Sequence, residues 1–168
     1  MTQRKCKNWL LSYLEYTKRQ ESPENYHIWC GLSTVASCLQ RKVYIDMGPF
    51  TVYPNMYIVL VGPAGRCRKT VAIKAATDLV ANLTDVKLSA DSITREALIR
   101  ALKLGEQSMD MGGGKIGFHS SLTIISKELS VFLGTGNHDL LSLLTDLYDC
   151  PDKWEYKTKN QGVDTIYG

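Results

Sequence analysis

The chain has 168 residues, 44% of them hydrophobic, and a formal net charge of +3. That length fits one ordinary domain and that apolar content supplies a sizeable core, so disorder is excluded as the default reading. So mild a charge does not by itself declare a nucleic-acid protein.

Near the N-terminus, Trp9, Leu10, Tyr13, Leu14 and Tyr16 recur close to helical spacing and predict an amphipathic helix over residues 8–20. Ser22-Pro23-Glu24 signals a second helix, with serine as cap, proline at the first helical position and an acid in the first turn. Its apolar side carries Trp29, Leu32, Val35, Ala36 and Leu39 to about Gln40. Residues 42–47, the Gly48-Pro49 pair and residues 50–53 predict a small hairpin or meander. Residues 1–47 are expected to form a helical segment ahead of a domain over residues 48–168.

Residues 57–61 are a continuous apolar, β-branched run, as expected of a strand covered on both faces. Gly62, Pro63, Ala64, Gly65, Arg66, Cys67 and Arg68 follow as a turn, and Lys69-Thr70 opens a predicted helix reaching residue 82. Strand, glycine turn, Lys-Thr and helix is the order of a phosphate cradle. Backbone N–H groups converge on the anion, Lys69 reaches the outer phosphates of ATP, and the Thr70 hydroxyl binds Mg²⁺. The consensus G-x-x-x-x-G-K-[ST] is not met, because Arg68 stands where glycine belongs. Counting back from Lys69 also puts Pro63 at the first glycine, whereas anchoring on Gly62 makes the loop one residue longer than usual. Glycine tolerates positive φ and close approach to phosphate; arginine needs room, but its guanidinium offers charge-assisted contacts in compensation. The alternative is a plain turn whose Arg66, Arg68 and Lys69 are solvated.

Residues 86–90 read as a second strand, after which Asp91, Ser92 or Thr94 caps a helix running to Leu104. Residues 105–117, with Gly112-Gly113-Gly114, read as a mobile surface loop. Residues 122–125 are a third strand candidate, residues 139–148 a leucine-rich helix, and residues 154–167 a hairpin centred on Asn160-Gln161-Gly162. Strands alternating with helices after residue 55 predict a parallel α/β sheet, and three strands are few for a nucleotide-binding one. The expectation is therefore a truncated nucleotide-binding core, with a small complete α+β domain as the alternative.

Hydrolysis at such a cradle needs a carboxylate near the metal and the attacking water. Glu128, just beyond the strand candidate at 122–125, is the expected catalytic acid, with Ser126 as a possible holder of metal-bound water. An acid in the first turn of a following helix is the structural alternative. Asp91 ends the second strand, on the side of a parallel sheet where ligands bind, and is a metal-ligand candidate as well as a cap candidate. His119 and Lys127 are weaker candidates.

Cys6, Cys30, Cys38, Cys67 and Cys150 form an odd set without C-x-x-C spacing, which argues against a zinc site and a disulfide scaffold and for a reducing, cytoplasmic setting. His27, His119 and His138 lie far apart and read as ordinary residues rather than metal ligands. The polar, basic N-terminus and its interrupted apolar stretch read as neither signal peptide nor membrane span.

Tyr13-Leu14-Glu15-Tyr16-Thr17, His27-Ile28-Trp29, Gly48-Pro49-Phe50, Tyr53-Pro54-Asn55, Leu60–Thr70, Leu88-Ser89-Ala90-Asp91-Ser92-Ile93-Thr94 and Glu128-Leu129-Ser130-Val131-Phe132-Leu133 stand in this order along the chain. By them residues 9–128 resemble a family of phage and prophage ATPase domains found in replication helicase or primase-helicase proteins. It implies a RecA-like P-loop core, ATP and Mg²⁺ bound through Lys69 and Thr70, and Glu128 as the acid of hydrolysis. It further implies DNA as partner, a homo-oligomeric ring or filament, and the cytoplasm of a bacterial or phage-infected cell. An Arg-Lys pair commonly stands in that family where Gly-Lys would be. The later strands of a RecA-like protein, with its sensor residue, DNA-contacting loops and intersubunit arginine, are not in this sequence, so nucleotide binding is implied but unaided turnover is not. The competing readings are a terminase-like packaging motor and a non-catalytic structural or interaction domain with a degenerate loop.

Overall fold

The computed structural model describes residues 6–158 and 162–168, Thr158 by its backbone alone. Arg4, Lys5, Asn160 and Gln161 lie outside the described residues. The chain runs α1 (Trp9–Thr17), α2 (Glu24–Leu39), β1 (Ile45–Asp46), β2 (Thr51–Val52), α3 (Lys69–Val80), α4 (Arg95–Leu104), β3 (Glu106–Asp110), β4 (Ile116–Ser120), α5 (Leu129–Leu133), α6 (His138–Tyr148), β5 (Lys153–Thr158) and β6 (Gly162–Tyr167).

The parallel, RecA-like sheet expected from the sequence is not what forms. The described strands make three separate two-stranded antiparallel sheets, β1 with β2, β3 with β4 and β5 with β6. Each is a hairpin between sequence neighbours, and such pairs close short loops, whereas parallel pairing needs a long crossover for a slightly weaker ladder per residue. Residues 57–61 keep the period-two burial of a strand: Ile58 and Leu60 are half-buried, while Tyr57, Val59 and Val61 are exposed, Val61 at 81%. They belong to no ladder, so the expected cover on both faces is missing. Among the described residues parallel pairing persists at a single bridge, Leu88 with Thr123, where Ser89 N donates to Thr123 O at 3.0 Å and Thr123 N to Lys87 O at 2.9 Å.

The stretch at 105–117, expected as a loop, contains β3, a turn through Gly112, Gly113 and Gly114, and the start of β4. All three glycines have positive φ, between +61° and +80°, which suits a residue without Cβ. The polar run Glu106-Gln107-Ser108-Met109-Asp110 hides the strand from a hydrophobicity reading. Its partner is inverted, with Ile116 and Phe118 exposed and His119 buried.

Two apolar clusters organise the helices. Leu98, Ile99 and Leu102 of α4, Leu140 and Leu143 of α6 and Ile166 of β6 form the larger, with Ile93, Leu122, Ile124 and Trp154 against it. Each such side chain contributes about 1.5–3 kcal/mol on burial. In the smaller, Cys30 of α2 meets Ala72 and Ala76 of α3, with Tyr26, Leu60 and Ile73 alongside. The small side chains let α2 and α3 approach closely. Gly31 does the same for α1, since a Cβ there would meet Leu10 Cδ1 and Tyr13 Cδ1 at 2.9 Å. The Tyr57 hydroxyl donates to Leu144 O at 2.6 Å and Asn55 Nδ2 to Tyr148 O at 2.8 Å, which ties the segment before the glycine turn to α6. Among the described residues no helix is long and apolar enough to cross a membrane.

Candidate functional site

The glycine turn leads directly into α3, whose first residues are Lys69 and Thr70. Their N–H groups precede the bond from Val71 N to Arg68 O (2.9 Å) and face outward at the positive end of the helix. Lys69 folds back over the turn, its Nζ donating to Gly62 O at 2.7 Å, so the ammonium lies along the loop rather than in bulk solvent. Gly62, Cys67 and Lys69 are half-buried; Pro63, Ala64, Gly65, Arg66, Arg68 and Thr70 are exposed.

Two positions in the turn are left-handed. Gly65 has φ +72° with open space around its Cα. Arg68 has φ +44° and ψ +41°, the region glycine occupies freely and an L-residue enters at about 1–2 kcal/mol. The glycine demanded by the consensus thus has a conformational counterpart here, and arginine adopts it. What holds Arg68 there comes from 46 residues earlier in the chain: the buried Ser22 Oγ donates to Arg68 O at 2.7 Å. Ser22 is therefore not the α2 cap that its sequence context predicts. Pro23 occupies the cap position, with no side-chain cap bond.

Tyr26 of α2 holds the other lip, its hydroxyl donating to Val61 O at 2.6 Å. A Cβ on Gly62 would collide with that hydroxyl and stand 3.1 Å from Cys67 Sγ, so only glycine fits between them. Burial, and then the hydrogen bond with Cys67, raise the Tyr26 phenol above its ordinary range and keep it a donor. Glu21, beside Ser22, pairs with Arg68 Nε at 2.5 Å. Glu21, Ser22 and Tyr26 escape sequence reasoning because no local pattern relates residues 35 to 47 positions apart.

The acidic candidates make their bonds with other partners. The Leu88–Thr123 bridge sets the end of one segment beside the start of the other, and Asp91 Oδ2 pairs with Lys127 Nζ at 3.5 Å, both side chains being well exposed. Thr94, not Asp91 or Ser92, caps α4, accepting from Ala97 N at 3.3 Å. Glu128 is the residue before α5, with exposed side chain and no capping bond, and Ser126 Oγ donates to its carbonyl at 3.0 Å. Among the described residues, no hydrogen bond or ion pair joins residues 62–70 to Asp91, Lys127 or Glu128.

No group of three or more His, Cys, Asp or Glu suited to a metal occurs among the described residues. A magnesium ion carried by a triphosphate asks less, since phosphate oxygens and water fill most of its octahedron and one hydroxyl suffices from the protein. The exposed Thr70 hydroxyl at the start of α3 fits that role; Asp91 is engaged with Lys127 and, among the described residues, has no hydrogen bond or ion pair to the loop. A cavity of about 430 Å³ between Arg41, Lys42, Tyr44 and β3, and one of about 340 Å³ between α4 and Tyr156, contain no loop residue. A phosphate grip made of backbone N–H groups works at an open surface and needs no enclosed cavity. His119 and His27 are core residues: burial lowers both, and Lys42 and Arg41 depress His119 further.

No protein-family model, no curated protein and no solved structure matches the chain.

Proposed function

We propose that residues 62–70 bind the triphosphate of ATP with Mg²⁺, and that the chain is the nucleotide-binding module of a phage-type replication helicase or primase-helicase. The observation that carries the binding reading is the Lys69 ammonium lying across the loop on Gly62 O, at the head of a helix whose first N–H groups are free of helical bonds. On this reading the N–H groups of residues 65–70 donate to phosphate oxygens, Lys69 exchanges Gly62 O for an outer phosphate, and the Thr70 hydroxyl adds one oxygen to the metal shell. Bound magnesium neutralises charge on the β- and γ-phosphates. DNA as the track, a ring or filament of identical subunits, and a bacterial or phage-infected cytoplasm belong to the same proposal and rest on the motif resemblance.

Titration calorimetry with Mg-ATP tests the binding step. The Lys69→Ala variant is expected to lose more than tenfold in affinity, in keeping with a charged hydrogen bond worth about 1.5–3 kcal/mol. Equal affinities in the two proteins would remove the reading.

A second reading, binding without turnover, is favoured by one observation: Asp91 is paired with Lys127, and among the described residues no hydrogen bond or ion pair joins Glu128 to the loop. Single-turnover ATP hydrolysis separates the two. If Glu128 is the acid, Glu128→Gln keeps Mg-ATP affinity and stops hydrolysis in the assembled protein. If the module only binds, neither protein turns ATP over.

A further inference from the structure

The α1–α2 connector and the first turn of α2 touch the loop and its approach at three points, and the contacts differ in kind. Tyr26 on Val61 O, at the surface, and Ser22 on Arg68 O, half-buried, are bonds to backbone, and they shape the two lips. The third is a side-chain ion pair between Glu21 and Arg68, with 68% and 55% of the two side chains exposed. A phosphate held by the N–H groups of residues 65–70 would lie beside the Arg68 guanidinium, which prefers a bidentate anion. Glu21 already holds Nε at 2.5 Å. One guanidinium therefore faces two anions, one built into the chain and one arriving with the nucleotide.

From this geometry we infer that Glu21 and Arg68 form a latch that the triphosphate displaces. Glu21 holds the guanidinium while the loop is empty, and phosphate takes it over on binding. This rests on the phosphate reading of residues 62–70 and adds to it a regulator: the carboxylate of residue 21 competes with the substrate for Arg68. The exchange gives Arg68 its use at a position where glycine would be conformationally easier. It also makes the α1–α2 connector responsive to occupancy of the loop, because Glu21 is released while Ser22, next to it, keeps its bond to the Arg68 carbonyl. Glu21 is a positioning residue, since it reaches the ligand only through Arg68.

A double-mutant cycle read by calorimetry with Mg-ATP and with Mg-tripolyphosphate tests the latch. Glu21→Gln removes the competing charge, and affinity is expected to rise about two- to fivefold, the range for an exposed ion pair. Arg68→Ala keeps a Cβ, so the left-handed strain at residue 68 is the same in both backgrounds, and affinity is expected to fall. With Arg68→Ala in place, Glu21→Gln is expected to change nothing. Tripolyphosphate, lacking base and sugar, is expected to show the same pattern. An increase that persists without Arg68, or no increase in the parent chain, overturns the latch while leaving the phosphate site standing. Failure of the parent chain to bind either ligand overturns the site and the latch together. Thermal melts of all four proteins accompany the cycle; a purely structural role for Glu21 would lower the midpoint without raising affinity.

Discussion

Around residues 62–70 the chain is held from both sides, by Tyr26 of α2 on Val61 and Ser22 of the α1–α2 connector on Arg68, whereas residues 88–91 and 123–128 meet through one bridge and an ion pair between exposed side chains. The first set consists of long-range bonds to backbone, each contributing about 0.5–1.5 kcal/mol net and fixing the peptide geometry that a backbone grip on phosphate requires. The second has two backbone bonds of its own, Ser89 N to Thr123 O and Thr123 N to Lys87 O, but beyond them Asp91 and Lys127 are joined only by an exposed ion pair of a class worth about 0–1 kcal/mol, which does little to aim an acid. The lesson is that a binding loop can be preorganised by helices that are no part of a sheet, while an acid that must be aimed at it needs the sheet to carry it there. In this chain the helical element does its part; the parallel sheet that would align Asp91 and Glu128 with the loop is reduced to a single bridge.

The contrast breaks most readily at Gly62. Gly62→Ala places a Cβ against the Tyr26 hydroxyl and Cys67 Sγ, and a loss of about 1–3 kcal/mol is expected from overpacking, read as a lower denaturation midpoint, together with weaker Mg-ATP binding. An unchanged midpoint would show that Tyr26 does not hold the lip.

An intermediate effect is expected from pH. His27 and His119 are buried, and burial lowers both below the ordinary value of 6.5. Their stability contribution is thus complete above about pH 6.5. As pH falls through that value the unfolded chain takes up protons the folded one refuses, and stability declines until the folded pKa values are reached. Urea midpoints measured from pH 7.5 to 5.5 check the sign, and a rise on acidification contradicts it.

The smallest effect is reserved for the second region. Asp91→Asn removes the pairing with Lys127 and is expected to shift stability by less than about 1 kcal/mol, with Mg-ATP affinity unchanged. A large loss of affinity would mean that Asp91 reaches the metal after all and that the two regions are one site.

The helices were largely legible. Apolar spacing locates α1 to α4 and α6, Thr94 is among the caps that local rules propose, and the Lys-Thr pair does open α3. The hairpins expected at residues 42–53 and 154–167 form as β1–β2 and β5–β6, but the parallel pairing was not legible, because a run such as 57–61 declares that it suits a strand but not that another strand will lie beside it. β3 was hidden for the opposite reason, its residues being polar and its pairing supplied by a glycine turn rather than by a buried face. At the loop, the sequence identifies Lys69, Thr70 and the glycines but not their supports. Ser22 looks like a helix cap by every local criterion, and only the fold reveals that its hydroxyl is spent on Arg68 O.

Amide chemical-shift mapping during titration with Mg-ATP tests the central claim most directly, since it reads both regions in one experiment. Saturable shifts are expected, concentrated in residues 62–70 and spreading to residues 21–26, with residues 88–91 and 123–128 little changed. Shifts centred elsewhere while residues 62–70 stay still, or no saturable shift at all, would contradict it.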